Sequence, residues 1–96
     1  MKKFVLLSVG YENPTQEIVD AWMKWFADIQ DSIVDGGNPF GAGMEVTSTE
    51  VIQLPHDKEA ITGYTIINAE SMDEAVKMAQ SCPSITAMRV YEAMAM

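Results

Sequence analysis

His56 and Asp57 stand side by side in the run Pro55-His56-Asp57-Lys58-Glu59 and are the one candidate acid–base pair in the chain. A carboxylate beside an imidazole raises its pKa and holds its ring, as proton transfer requires. Neighbours on an extended chain point to opposite sides, however. A solvated hairpin tip is therefore the expectation for this pair. Tyr64 is a further group able to handle a proton, and Tyr11, Asn38, Arg89 and Tyr91 are polar groups able to orient a ligand. Whether they converge depends on sheet register, because a slip of one residue reverses every side chain.

Trp22, Trp25 and Phe26 could wall a flat ligand, although at helical spacing they serve first as a core stripe. Trp25 and Phe26 lie about 100° apart around a helix, so one packs inward while the other borders a cleft. Trp25 counts among the ligand-side candidates. The segment Gly36-Gly37-Asn38-Pro39-Phe40-Gly41-Ala42-Gly43 invites comparison with a phosphate cradle. It follows a helix and precedes a strand, whereas phosphate loops run from strand into helix, and it lacks the lysine. A mobile loop beside a cleft, with Phe40 as gate or dimer contact, is the better reading.

Nucleophilic and metal chemistry find little support. Ser8 and Cys82 have no His partner in their sequence context. One His and one Cys cannot supply a zinc site of the usual kind, and no Asp-rich loop has calcium spacing. No metal and no cofactor are expected. A single cysteine also forbids an intramolecular disulfide. Cys82 reads as a small buried hydrophobe on its helix.

These groups sit in a chain of 96 residues, room for one domain spanning residues 1–96. Hydrophobic residues make up 48%, which excludes intrinsic disorder. Six Lys and Arg face fourteen Asp and Glu, a formal charge of −8. Such acidity disfavours nucleic-acid phosphates and anionic membrane surfaces as partners. Lys2-Lys3 before Phe4-Val5-Leu6-Leu7 imitates a signal peptide, but the apolar run stops at Gly10 with no small-residue cleavage site. It reads as a strand. No segment approaches the roughly 20 apolar residues of a membrane helix. A cytoplasmic location is expected.

The elements follow from periodicity. Residues 3–10 form a first strand apolar on both faces, hence central. Asn13 as cap, Pro14 at the first helical position and Gln16 open a helix. Its stripe Ile18, Trp22, Trp25, Phe26, Ile29, Ile33 carries it to Asp35, where Gly36-Gly37 supplies the stop. Glu45–Leu54 reads as a second strand, residues 55–59 as a hairpin tip and Ile61–Ala69 as a third strand. Ser71 and Glu74 make a capping box for a short helix that Pro83 ends, and Ile85–Met94 closes the chain as a strand. The order is βαββαβ. The expected fold is α+β and ferredoxin-like, an antiparallel four-stranded sheet with both helices on one face. The other face would lie bare, with Val5, Leu7 and Val9 on it. A second copy in twofold symmetry is the commonest cover.

Three stretches carry a resemblance. They are Ala21–Phe26 running to Asp35-Gly36-Gly37-Asn38-Pro39-Phe40-Gly41; Gly63–Ala69 with Ser71–Ala75 and Cys82-Pro83; and the ending Val90–Met96. In that order they resemble the YCII-related family, which includes the DGPF-like domains. The resemblance implies a dimeric α+β barrel, in which the sheets of two subunits meet, and a cleft for a small organic molecule. Some members carry a His–Asp pair with the His on the first helix. This chain has no His there, and Leu54-Pro55-His56-Asp57 stands where the Asp-Gly-Pro-Phe run would fall.

Three functions remain in view. The leading one is a homodimer, or a higher oligomer, that binds a small organic ligand in a cleft near the subunit interface. The others are an isomerase- or hydrolase-type enzyme using His56 and Asp57 or Tyr64, and a protein-interaction module without catalysis.

Overall fold

The computed structural model describes residues 1–95. Along the chain run β1 (Lys2–Val9), α1 (Gln16–Asp28), one turn of 3-10 helix (Gln30–Ser32), β2 (Ile33–Asp35), β3 (Gly43–Val46), β4 (Val51–Leu54), β5 (Ile61–Ala69), α2 (Met72–Gln80) and β6 (Ala87–Ala93). Four of the strands form an antiparallel sheet in the order β2-β5-β1-β6. β1 is therefore interior, as its unbroken apolar run requires. The arrangement is the ferredoxin-like βαββαβ fold, with β3 and β4 inserted as a separate two-stranded hairpin.

The register places Phe4 opposite Ile67, Leu6 opposite Thr65 and Ser8 opposite Gly63. Side chains alternate across a strand, so these six share one face, and both helices cover it. Phe4, Leu6, Ile67 and Ala69 pack there against Trp25 and Ile29 of α1 and Ala75 and Ala79 of α2, with Cys82 beside them. The alanines let α2 approach closely, and the Trp25 indole N–H donates to the Met78 carbonyl at 2.9 Å, tying the helices together. Val5, Leu7, Tyr64, Ile66, Arg89 and Tyr91 belong to the opposite, uncovered face.

The structure departs from the periodicity in three places. α1 stops at Asp28, not Asp35, and its cap is Thr15, whose Oγ1 accepts from Ile18 N at 3.2 Å. Asn13 instead accepts from the Tyr11 hydroxyl. The stripe extends to Ile33 because helical spacing persists in the letters. There the β-branched Ile33-Val34 gains more by pairing with β5 as the sheet's short second strand. Glu45–Leu54 is not one strand of that sheet. The Thr47 hydroxyl accepts from the amides of Thr49 and Glu50 and folds residues 43–54 back on themselves. Residues 55–59 consequently link the hairpin to β5 rather than form a tip. Ser71 caps α2 as read, its Oγ accepting from Glu74 N at 3.3 Å.

Burial within the α1 stripe is also uneven. Trp25 is 2% exposed and Ile29 is buried, whereas Ile18, Trp22, Phe26 and Ile33 are half-buried. Trp25→Ala should cost about 3–5 kcal/mol, and Phe26→Ala distinctly less. Urea unfolding of both variants checks this, and equal losses would contradict the placement.

Candidate functional site

The helix-covered face changes character along its length. At one end Phe4, Leu6 and Ile67 fill the space beneath the helices. At the other, β1 offers Ser8 and β5 offers Gly63. α1 spans both ends, so its N-terminal half stands over a void. The result is a half-open cavity of about 480 Å³, within the range of small-molecule sites. Ile18, Trp22 and Phe26 wall it from the helix, and Ser8, Gly10 and Gly63 line it from the sheet. The aromatic group continues into the core: Trp25 meets Trp22 edge-on at 5.6 Å and Phe26 at 5.2 Å between centroids.

Residues 36–39 close a further side. They are stitched along β5: Thr65 Oγ1 donates to the Gly36 carbonyl, Pro39 bridges to Gly63, and Phe40 N donates to the Thr62 carbonyl at 2.8 Å. Gly37 has φ +76°, and a side chain there would collide with the Tyr64 carbonyl oxygen. Its glycine serves this close approach rather than a helix stop.

Several lining groups are already engaged. Thr62 Oγ1 donates to the Gly10 carbonyl, Thr65 Oγ1 to that of Gly36, and the Tyr11 hydroxyl to Asn13. The Ser8 hydroxyl and the Asn38 amide line the cavity with no hydrogen bond to another described residue. Glu12 is the one ionisable carboxylate in the lining, and no Lys or Arg joins it. The cavity suits an uncharged molecule with an apolar body and one or two polar atoms.

The candidate residues separate into groups. Tyr11, Asn38 and Tyr64 border the cavity. The Tyr64 ring, by strand alternation, falls on the uncovered face, where it stacks on Phe40 at 5.7 Å and donates to Asp35 at 3.3 Å. Phe40 is thus packed on Tyr64 and does not line the cavity. Trp25, read as a ligand-side residue, lies in the core, because its side of α1 faces the large side chains of the sheet. Arg89 and Tyr91 belong to the uncovered face, away from the cavity. His56 and Asp57 are exposed and share no hydrogen bond: Asp57 Oδ1 accepts from Glu59 N at 2.9 Å, while the His56 ring sits 4.1 Å from that of Tyr11. The cavity is built from one chain on the helix side, not where two sheets would meet.

Sequence reasoning missed Ser8, Gly63, Thr62, Ile18 and Glu12 as lining residues. The usable signal was the small residue interrupting each of two apolar strands. It becomes legible only once the register sets Ser8 against Gly63. Among the described residues no cluster of three or more His, Cys, Asp or Glu is placed to hold a metal, and no helix is long and apolar enough to cross a membrane.

No family model matches the chain, and no curated protein does. Among solved structures, 5-chloro-2-hydroxyhydroquinone dehydrochlorinase (TftG) from Burkholderia phenoliruptrix AC1100, in complex with 2,5-dihydroxybenzoquinone, is similar with a TM-score of 0.60. The identity is 21%, over 96% of this chain and 93% of that one. Likeness at this identity shows a shared fold.

Cys82, outside the cavity, is buried, and desolvation pushes its thiol from 9.0 up to about 12. It stays protonated at neutral pH and is no nucleophile. Since its folded pKa exceeds the unfolded one, its contribution to stability is complete below pH 9 and drains away as pH rises toward 12. The urea midpoint of wild type should therefore fall more steeply between pH 9 and 11 than that of Cys82→Ala. Parallel pH profiles would refute it.

Proposed function

We propose that the chain binds a small, flat, uncharged organic molecule in the cavity between α1 and the sheet. The carrying observation is the void over Ser8 and Gly63, walled by Trp22 and Phe26 and furnished with the free Ser8 hydroxyl and Asn38 amide. An aromatic face stacks well on these rings, and the two polar groups would orient its substituents. The shared fold of a dehydrochlorinase complexed with a six-membered quinone ring supports a ligand of that class, as does the resemblance to YCII-related proteins. The functional unit in this reading is a homodimer closed through the uncovered sheet faces. Val5, Leu7, Ile66 and Tyr91 make that face apolar, and Tyr91 is 58% exposed in the single chain.

An acid–base reading draws on one contact, the His56 ring against Tyr11 at the cavity wall. It assigns His56 to the proton and leaves Asp57 to its turn.

Thermal shift with benzoquinones and hydroquinones tests binding. Ligand at about 100 times its Kd adds roughly 2.7 kcal/mol, on the order of 10 °C for a domain this size. Ser8→Leu, which fills the void, should fold with an unchanged far-UV spectrum and lose the shift. A shift surviving in Ser8→Leu would place the ligand elsewhere. For any compound that is turned over, His56→Ala should lower kcat about 10²-fold or more if His56 moves the proton. Unchanged kcat would remove His56 from the reaction.

A further inference from the structure

Among the described residues the β3–β4 hairpin pairs with no other strand. Its cross-strand pairs are Gly43–Leu54, Met44–Gln53, Glu45–Ile52 and Val46–Val51. By alternation Ile52 and Leu54 lie on one face, and Met44, Val46 and Val51 on the other. Both faces are apolar and exposed, with Val46 at 69% and Val51 at 64%. An isolated two-stranded hairpin is marginal in water and needs a third strand or a packed face. Here neither strand packs on another element to more than a marginal extent.

The shape of the chain agrees. Its radius of gyration is 14.3 Å, against about 12.5 Å for a compact domain of this length. It measures 41 × 40 × 18 Å, and a sheet with one helix layer takes up the short dimension. The hairpin projects as an arm.

We propose that this arm docks on a second copy of the chain, covering part of that copy's uncovered sheet face or its rim. The proposal rests on the homodimer read above. Area supports it. Four strands about 4.8 Å apart and some seven residues long present a flat face of about 450 Å². Two such faces together reach about 900 Å² before side-chain relief, at or below the low end of the ~1,200–2,000 Å² of stable interfaces. Two arms, each bringing five apolar side chains, make up the difference. Charge points the same way. The arm carries Glu45 and Glu50 and no cation, whereas the uncovered face carries Lys3 and Arg89. The one carboxylate at that face's edge, Asp35, is already held by Gly37 N and the Tyr64 hydroxyl. An acidic apolar arm and a basic apolar face are complementary, and the pairing offsets part of the repulsion between two chains of charge −8.

Sedimentation of the full chain tests this. Wild type should run at twice the chain mass of 10.6 kDa at micromolar concentration. Val46→Lys/Val51→Glu changes side chains already exposed in the single chain, so the far-UV spectrum should hold while the dimer Kd rises at least about tenfold. Glu45→Lys/Glu50→Lys should weaken the dimer likewise, and adding Lys3→Glu/Arg89→Glu should recover most of the loss. A dimer of unchanged Kd in both arm variants would overturn the arm and leave the sheet-closed dimer standing. A monomeric wild type would overturn both.

Discussion

The pairing of β1 with β5 is the constraint on which the rest of the molecule depends. It sets Phe4 against Ile67, Leu6 against Thr65 and Ser8 against Gly63. A slip of β1 by one residue would put Val5 and Leu7 under the helices opposite Ile67 and Thr65, and Phe4 and Leu6 in water. The pairs grade from large to small along one face, and a straight helix cannot follow that gradient. α1 packs tightly where side chains are large and bridges a void where they are small. Core and cavity are two ends of the same interface.

The tight end holds the loose end open. Trp25 is seated by burial and by its hydrogen bond to Met78, which anchors α1 against α2 and stops the helix from settling onto Ser8. Trp22 and Phe26 then keep ring surface toward an unfilled space, where they forgo the dispersion contacts of a packed interior. On the far side the loop cannot move in either, because Gly37 already sits against the Tyr64 backbone. Every wall of the cavity is thus held by something other than its contents.

Charge divides the molecule differently. The outer sides of the helices carry Glu17, Asp20, Asp28, Asp73 and Glu74, all exposed, and they repel copies of the same chain. The sheet's other side presents Val5, Leu7, Ile66 and Tyr91 together with Lys3 and Arg89. Acidic and apolar surfaces therefore lie on opposite sides of a slab 18 Å thick. This polarity exists because both crossover helices fall on one face of the sheet.

Local spacing determined a good deal without coordinates. The interior place of β1, the Ser71 cap, the strand from Ile61 to Ala69 and the βαββαβ order all lie in short-range pattern, since caps and periodicities act within a turn or two. His56 and Asp57 share no hydrogen bond, but the cause is the turn in which Asp57 Oδ1 accepts from Glu59 N, not strand alternation. Tertiary structure decided the rest. Ile33 and Val34 left the helix that their spacing continued because β5 offered hydrogen bonds no local rule could weigh. Thr47 and its neighbours turned one expected strand into a free hairpin through side-chain-to-backbone bonds. Trp25 went to the core while Trp22 and Phe26 walled a cavity, three residues alike in type and spacing. What separated them was the size of the side chains opposite, and long-range register alone selects which side chains those are.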